Sequence, residues 1–208
     1  MLSKRSSTAI LTTALMTMAL AAGCRQGPKG PDKPAFDAGA AAAAAVAEYD
    51  ANKDGKLDAA ELKKCPALEH ALPRADADGD KALSAGEIAA RINKWFASGS
   101  RMMSGAAHIT LDGRDLEGAT VTFEPEKFLG EGFKPASGTT DAAGRVNVQG
   151  ANEKFPGLYL GLYRVKVSKI VGGKETVPAR YNSATTLGCE VADDIGGIGE
   201  LEFHLRSR

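Results

Sequence analysis

The sequence has no surplus of charge: 26 Lys and Arg stand against 26 Asp and Glu. Without a basic excess nothing neutralises a phosphate backbone, so a nucleic-acid partner is not expected. Cysteine is scarce, at three in 208 residues, which excludes a dense disulfide scaffold. The 24 glycines follow no triplet repeat, which excludes collagen. Histidine is scarcer still in effect: His70, His108 and His204 are scattered, with no metal-ligand spacing between them. His204 sits on the polar face of an alternating segment and reads as a solvated strand residue. Gly196-Gly197-Ile198-Gly199 lacks the Lys-Ser/Thr that completes a phosphate-binding loop. No acid, base and nucleophile cluster together, so an enzyme is not expected. No apolar run is long enough to cross a bilayer comfortably.

What is present begins with an address. Lys4 and Arg5 precede an uncharged stretch, residues 8–22, rich in Ala, Leu, Ile, Met and Thr. That is the layout of an export signal. It ends in Leu20-Ala21-Ala22-Gly23-Cys24. Small residues directly before a cysteine resemble the lipobox of a bacterial lipoprotein signal. The resemblance implies cleavage after residue 23, diacylglycerol on Cys24, and an exported protein anchored at the cell envelope, on the periplasmic face or outer membrane. The alternative is an ordinary cleaved signal with an incidental cysteine. Two acyl chains or more give stable anchorage, whereas one is marginal. Cleavage removes two cations and no acid, leaving a slight acidic excess. Residues 24–35 hold Pro28, Pro31, Pro34, Gly27 and Gly30 without apolar periodicity, and read as a flexible tether.

Residues 50–61 read Asp-Ala-Asn-Lys-Asp-Gly-Lys-Leu-Asp-Ala-Ala-Glu. A hard cation such as calcium needs six to eight oxygens, and a twelve-residue loop supplies them from positions one, three, five, seven, nine and twelve. Those slots hold Asp50, Asn52, Asp54, the Lys56 backbone carbonyl, Asp58 and Glu61. Gly55 stands at position six, where the chain turns sharply, and apolar Leu57 at position eight can pair with a partner loop. The segment resembles an EF-hand loop in every slot; the alternative is an acidic solvated turn. Residues 76–87 repeat the pattern with Asp76, Asp78, Asp80, the Ala82 backbone carbonyl, Ser84 and Glu87, and Leu83 in the pairing position. Lys81 replaces the glycine at position six, at a cost of about 1 kcal/mol, and Ser84 replaces a carboxylate. Two calcium sites are therefore expected, the first the stronger.

Helices are expected to flank both loops. Residues 40–49 are alanine-rich, with Val46 and Tyr49 on one face. Residues 59–64 form a short exiting helix, and Pro66 opens the next at a tolerated first position. Leu68, Ala71 and Leu72 face the core, as do Ile88, Ile92, Trp95 and Phe96. Trp95-Phe96 reads as core in preference to a docking surface. The loops start only 26 residues apart, unlike long-helix sensors, so a target groove that opens on calcium is not clearly implied.

Beyond a joint at residues 99–105 the helical period disappears. Short alternating segments follow at residues 108–111, 119–124, 137–140, 145–148, 163–168, 175–177, 187–191 and 201–205, separated by turns such as Asp112-Gly113 and Gly172-Gly173. About seven strands with frequent turns predict an antiparallel β-sandwich. The order Asp112-Gly113-Arg114-Asp115-Leu116-Glu117-Gly118, then Thr140-Asp141-Ala142-Ala143-Gly144-Arg145, then Gly161-Leu162-Tyr163-Arg164-Val165 resembles the carboxypeptidase regulatory-like domain, a transthyretin-like (Ig-like) sandwich of bacterial surface proteins. The resemblance implies a fold and no catalytic residues.

The expected organisation is thus a signal peptide over residues 1–23, a tether over 24–35, a helical EF-hand pair over 36–98, a linker, and a sandwich over 106–208, α plus all-β in two domains. The combination is similar to small envelope lipoproteins of planctomycete-type bacteria. It implies a calcium-binding, lipid-anchored protein whose sandwich takes a protein or glycan ligand, or else an accessory or regulatory subunit of an envelope hydrolase. Cys65 and Cys189 remain after lipidation; export permits a disulfide, but two separately buried thiols are preferred. Calcium is expected to act as a fold clamp on the small acidic helical half and to leave the sandwich indifferent to chelation.

Overall fold

The computed structural model describes residues 32–150, 157–195 and 201–208. The signal segment, Cys24 and most of the tether lie outside the described residues. Four helices come first. Asp37 caps α1 (Ala38–Tyr49), its carboxylate accepting from the Ala40 amide at 3.0 Å. A short strand β1 (Lys56–Leu57) leads into α2 (Ala59–Leu62), and α3 (Pro66–Ala75) starts on its proline. Then β2 (Leu83–Ser84) leads into α4 (Ala85–Trp95). The buried face of α1 is mostly alanine (Ala38, Ala41, Ala42, Ala45), which lets the backbone of α4 approach closely. Ile88, Ile92 and Trp95 on α4 are fully buried, so the aromatic pair splits: Trp95 is core, and Phe96 is only partly covered.

The rest of the chain is strand. In chain order the elements are β3 (Met102–Met103), β4 (Ala106–Leu111), β5 (Arg114–Asp115), β6 (Thr120–Pro125), β7 (Ala136–Thr139), β8 (Arg145–Asn147) and β9 (Gln149–Gly150). There follow β10 (Leu158–Tyr159), β11 (Gly161–Ser168), β12 (Ile170–Val171), β13 (Lys174–Glu175), β14 (Leu187–Val191) and β15 (Leu201–Leu205). One sheet has the order β14-β11-β6-β7-β9; a second sets β15 against β4, with β5 and β8 along the other edge of β4. Phe123 on β6 meets Tyr163 on β11 and Phe203 on β15, each with ring centroids 6.2 Å apart and near-perpendicular, so the two sheets share an aromatic core.

The all-antiparallel expectation needs correction. Pairs within the first sheet are antiparallel, but β15 runs parallel to β4 through Leu201↔Ala107 to Leu205↔Leu111. A parallel pair needs a long crossover. The chain supplies one, because β4 lies near the start of the strand half and β15 ends it. The expectation of seven strands also undercounts, because two-residue strands such as β5 and β9 carry too little pattern to be seen.

Alternation along β11 and β14 assigns two faces. Tyr163, Val165 and Cys189 face the second sheet, whereas Leu162, Arg164, Gly188 and Glu190 face the helices. The helices therefore form a third layer, α3 lying on β14 and β11. Gly188 is required by that approach: a Cβ there would stand 2.4 Å from the Ala67 amide nitrogen. Cys65, beside α3, and Cys189, inside the sandwich, are on opposite sides of the sheet, and both are free thiols. The preference for two buried thiols thus has a topological reason. At the other end Phe36 stacks against Phe96 at 5.2 Å and Phe133 at 6.0 Å, with the Lys33 ammonium 4.5 Å from the Phe36 centroid. The last residues of the stretch read as tether thus rest on the fold.

Candidate metal centre

The two twelve-residue segments fold into loops with one hydrogen-bond pattern. Asp50 accepts from the Lys53 amide at 2.6 Å and the Gly55 amide at 2.9 Å; Asp76 accepts from Gly79 at 2.7 Å and Lys81 at 3.0 Å. Asn52 and Asp54 accept from amides two residues on, at 2.8 and 2.9 Å, and Asp78 and Asp80 do the same at 3.1 and 2.9 Å. Position twelve closes each loop. Glu61 accepts from Ala51 at 2.7 Å and Asp58 at 3.0 Å, and Glu87 from Ala77 at 3.0 Å and Ser84 at 2.9 Å. Asp58 and Ser84, read as ligands at position nine, form capping boxes with Glu61 and Glu87 at the starts of α2 and α4. Lys56 and Ala82, read as carbonyl donors, lie at the bridge between the loops. There β1 and β2 pair antiparallel, Leu57 opposite Leu83 and Lys56 opposite Ser84. Both leucines are fully buried.

Asp76, Asp78 and Asp80 offer carboxylate oxygens all within 4.8 Å of one another. The donor set in both loops is oxygen alone, which suits a hard cation and no soft one.

Backbone geometry changes one expectation. Each loop has two left-handed positions, four and six. The first holds Lys53 (φ 63°) and Gly55 (φ 87°); the second holds Gly79 (φ 77°) and Lys81 (φ 66°). One glycine and one lysine serve each loop with their places exchanged, so the strain assigned to Lys81 has a counterpart in Lys53 and cannot rank the loops. A different asymmetry remains. The Lys56 ammonium crosses to the second loop, bonds Asp80 and lies 3.5 Å from Asp78. The Asp80 hydrogen bond raises the Lys56 pKa, and the same bond lowers that of Asp80. A cation entering the second loop has this ammonium as a competitor.

The helices around the second loop are tied to the sheet by a group that the sequence pattern did not single out. Glu190 on β14 has a fully buried side chain. It accepts from Arg74 Nε at 2.9 Å, from Trp95 Nε1 at 2.7 Å and from Arg91 Nε. Arg91 also forks onto Asp194 at 2.6 and 2.7 Å, and these bonds hold the Asp194 carboxyl well below its usual range. His70 Nδ1 accepts from the Glu190 amide at 3.1 Å; burial, and then the Arg74 charge, push its pKa down. Arg74 lies two residues before Asp76 and Arg91 four after Glu87. One carboxylate of the sheet therefore holds both helices that carry the second loop. The signal in the sequence is a lone acid inside an otherwise uncharged strand segment, Leu-Gly-Cys-Glu-Val.

His108 Nε2 lies 2.8 Å from Asp115, and His204 contacts Thr110 at 3.0 Å and Glu202 at 3.4 Å. These contacts lie within the second sheet, away from both loops. No protein-family model, curated protein or solved structure matches the chain.

Proposed function

We propose that this chain is a calcium-binding, lipid-anchored protein of the cell envelope, an EF-hand pair packed on a transthyretin-like sandwich, with calcium serving as a clamp on the fold. The repeated oxygen-lined loop, joined to its copy through β1 and β2, carries the reading. Asp50, Asn52, Asp54, the Lys56 carbonyl, Asp58 and Glu61 would hold one ion. Asp76, Asp78, Asp80, the Ala82 carbonyl, Ser84 and Glu87 would hold the other. When bound, calcium supplies the positive charge that the converging carboxylates lack. The first site is proposed to be the tighter, because Lys56 occupies acids of the second and Asp58 offers a carboxylate where Ser84 offers a hydroxyl. Extracellular modules of this kind bind with constants of roughly 10⁻⁴ to 10⁻³ M.

Calorimetry tests the ranking. Glu61→Gln is expected to remove the tighter event and Glu87→Gln the weaker; the reverse order refutes the ranking, and no heat at all refutes the calcium reading. Among the described residues no helix is long and apolar enough to cross a membrane. Anchorage through Cys24 is tested by palmitate labelling of cells, where Cys24→Ser is expected to abolish the label; a label that persists removes the anchor from the proposal.

A further inference from the structure

A cleft of about 580 Å³ opens where the helices meet the five-stranded sheet. Its walls are the end of α1 (Glu48, Tyr49), the turn after α2 (Lys63, Lys64) and the 3₁₀ turn at Lys127; its floor is Arg164 and Glu126. The calcium loops use none of these side chains.

The floor is built and rigid. Glu126 is buried, and Arg164 Nε donates to it at 3.1 Å. Arg164 Nη2 donates to the Tyr49 hydroxyl at 2.9 Å and to the Lys64 carbonyl at 2.8 Å. The guanidinium is thus fixed from three sides, and its Nη1 edge makes no hydrogen bond among the described residues. A preorganised guanidinium edge loses little entropy on binding a carboxylate. The neighbouring Cys65 thiol, whose sulfur lies 3.4 Å from Glu126, is pushed well up by burial and by that carboxylate, so it stays protonated and is no nucleophile.

The rim sets the sign of the ligand. Lys166 is paired with Glu124 at 2.6 Å, and Glu126 is matched by Arg164. Lys63, Lys64 and Lys127 are exposed and have no ion-pair partner among the described residues, and Glu48 alone opposes them. The cleft therefore has a net positive field. It offers no exposed aromatic face for a sugar ring, since Tyr49 is buried. Glu48 and Glu124 would repel a uniformly charged polyanion but tolerate a chain with spaced carboxylates.

We propose that this cleft binds an acidic peptide segment, one carboxylate meeting the Arg164 Nη1 edge and others meeting Lys63, Lys64 and Lys127. The probe is a fluorescein-labelled Gly-Ser peptide carrying spaced aspartates, read by anisotropy on the whole exported chain in calcium buffer. Binding is expected to weaken about ten-fold or more in Lys63→Glu/Lys127→Glu, with an unchanged melting temperature. Lys174→Glu, on the β12–β13 hairpin, changes net charge away from the cleft and is expected to leave binding intact. No binding of the aspartate peptide overturns the proposal, as does equal loss in Lys174→Glu. Tighter binding of inorganic polyphosphate through the same lysines overturns it in favour of a phosphate polymer. These outcomes are independent of the calorimetry, so a failed cleft and failed calcium loops are distinguishable.

Discussion

Glu190→Ala is expected to destabilise the protein by about 3–5 kcal/mol, the cost of leaving buried charges without their partner. On a chain of this size that corresponds to a fall of about 6–20 °C in melting temperature. Three donors lose their acceptor together: Arg74 Nε, Arg91 Nε and Trp95 Nε1. Arg91 retains Asp194, but Asp194 is partly exposed, and its fork cannot stand in for a fully buried carboxylate. The same variant frees α3 and α4 from the sheet, so the second calcium event is expected to weaken more than the first. Thermal melting and calorimetry on Glu190→Ala and the isosteric Glu190→Gln give both readings. A loss within the ~0.5 kcal/mol of an ordinary surface substitution would show that Glu190 does not hold the helices to the sheet.

The elements that announce themselves by period or by turn chemistry were legible in the sequence. The strand at residues 187–191 matches β14, residues 201–205 match β15, and Pro66 does open α3. The twelve-residue loops were legible because the same residue types recur slot by slot, and both copies fold with one hydrogen-bond pattern. Position four was not, because lysine in a left-handed conformation leaves no mark in composition; Lys53 reveals itself only through its φ. The parallel pairing of β15 was hidden for a different reason, since alternation gives a strand's faces but not its direction. The helix–sheet junction was also hidden. Arg164 and Glu190 lie on the strand face opposite Tyr163 and Cys189, and only the third layer turns that face into an interior. The same layer changes the thermodynamic expectation drawn from two separate halves.

Chelation by EDTA is expected to lower the melting of the whole molecule, not of the helical part alone. At about ten times the dissociation constant one site adds roughly 1.4 kcal/mol, so two sites add about 3 kcal/mol. For a chain of this size that is a shift of about 6–12 °C. Read as an independent sandwich, the strand half has no reason to respond. The structure gives it one. Leu162, Gly188 and Glu190 are covered by α3 and α4, and Arg164 by Tyr49 and the Lys64 carbonyl. Loss of the helices would expose a face of β11 and β14 on which Glu190 has lost its three donors and Arg164 keeps Glu126 alone. Unfolding one half therefore penalises the other, and the two transitions merge. Trp95 is the sole tryptophan and bonds Glu190 directly, so its fluorescence reports the junction. Melting followed by helical circular dichroism and by Trp95 emission is expected to coincide in calcium and to move together in EDTA. A strand transition that stays in place while the helical one falls would restore two independent halves. Curves indifferent to EDTA would remove the clamp.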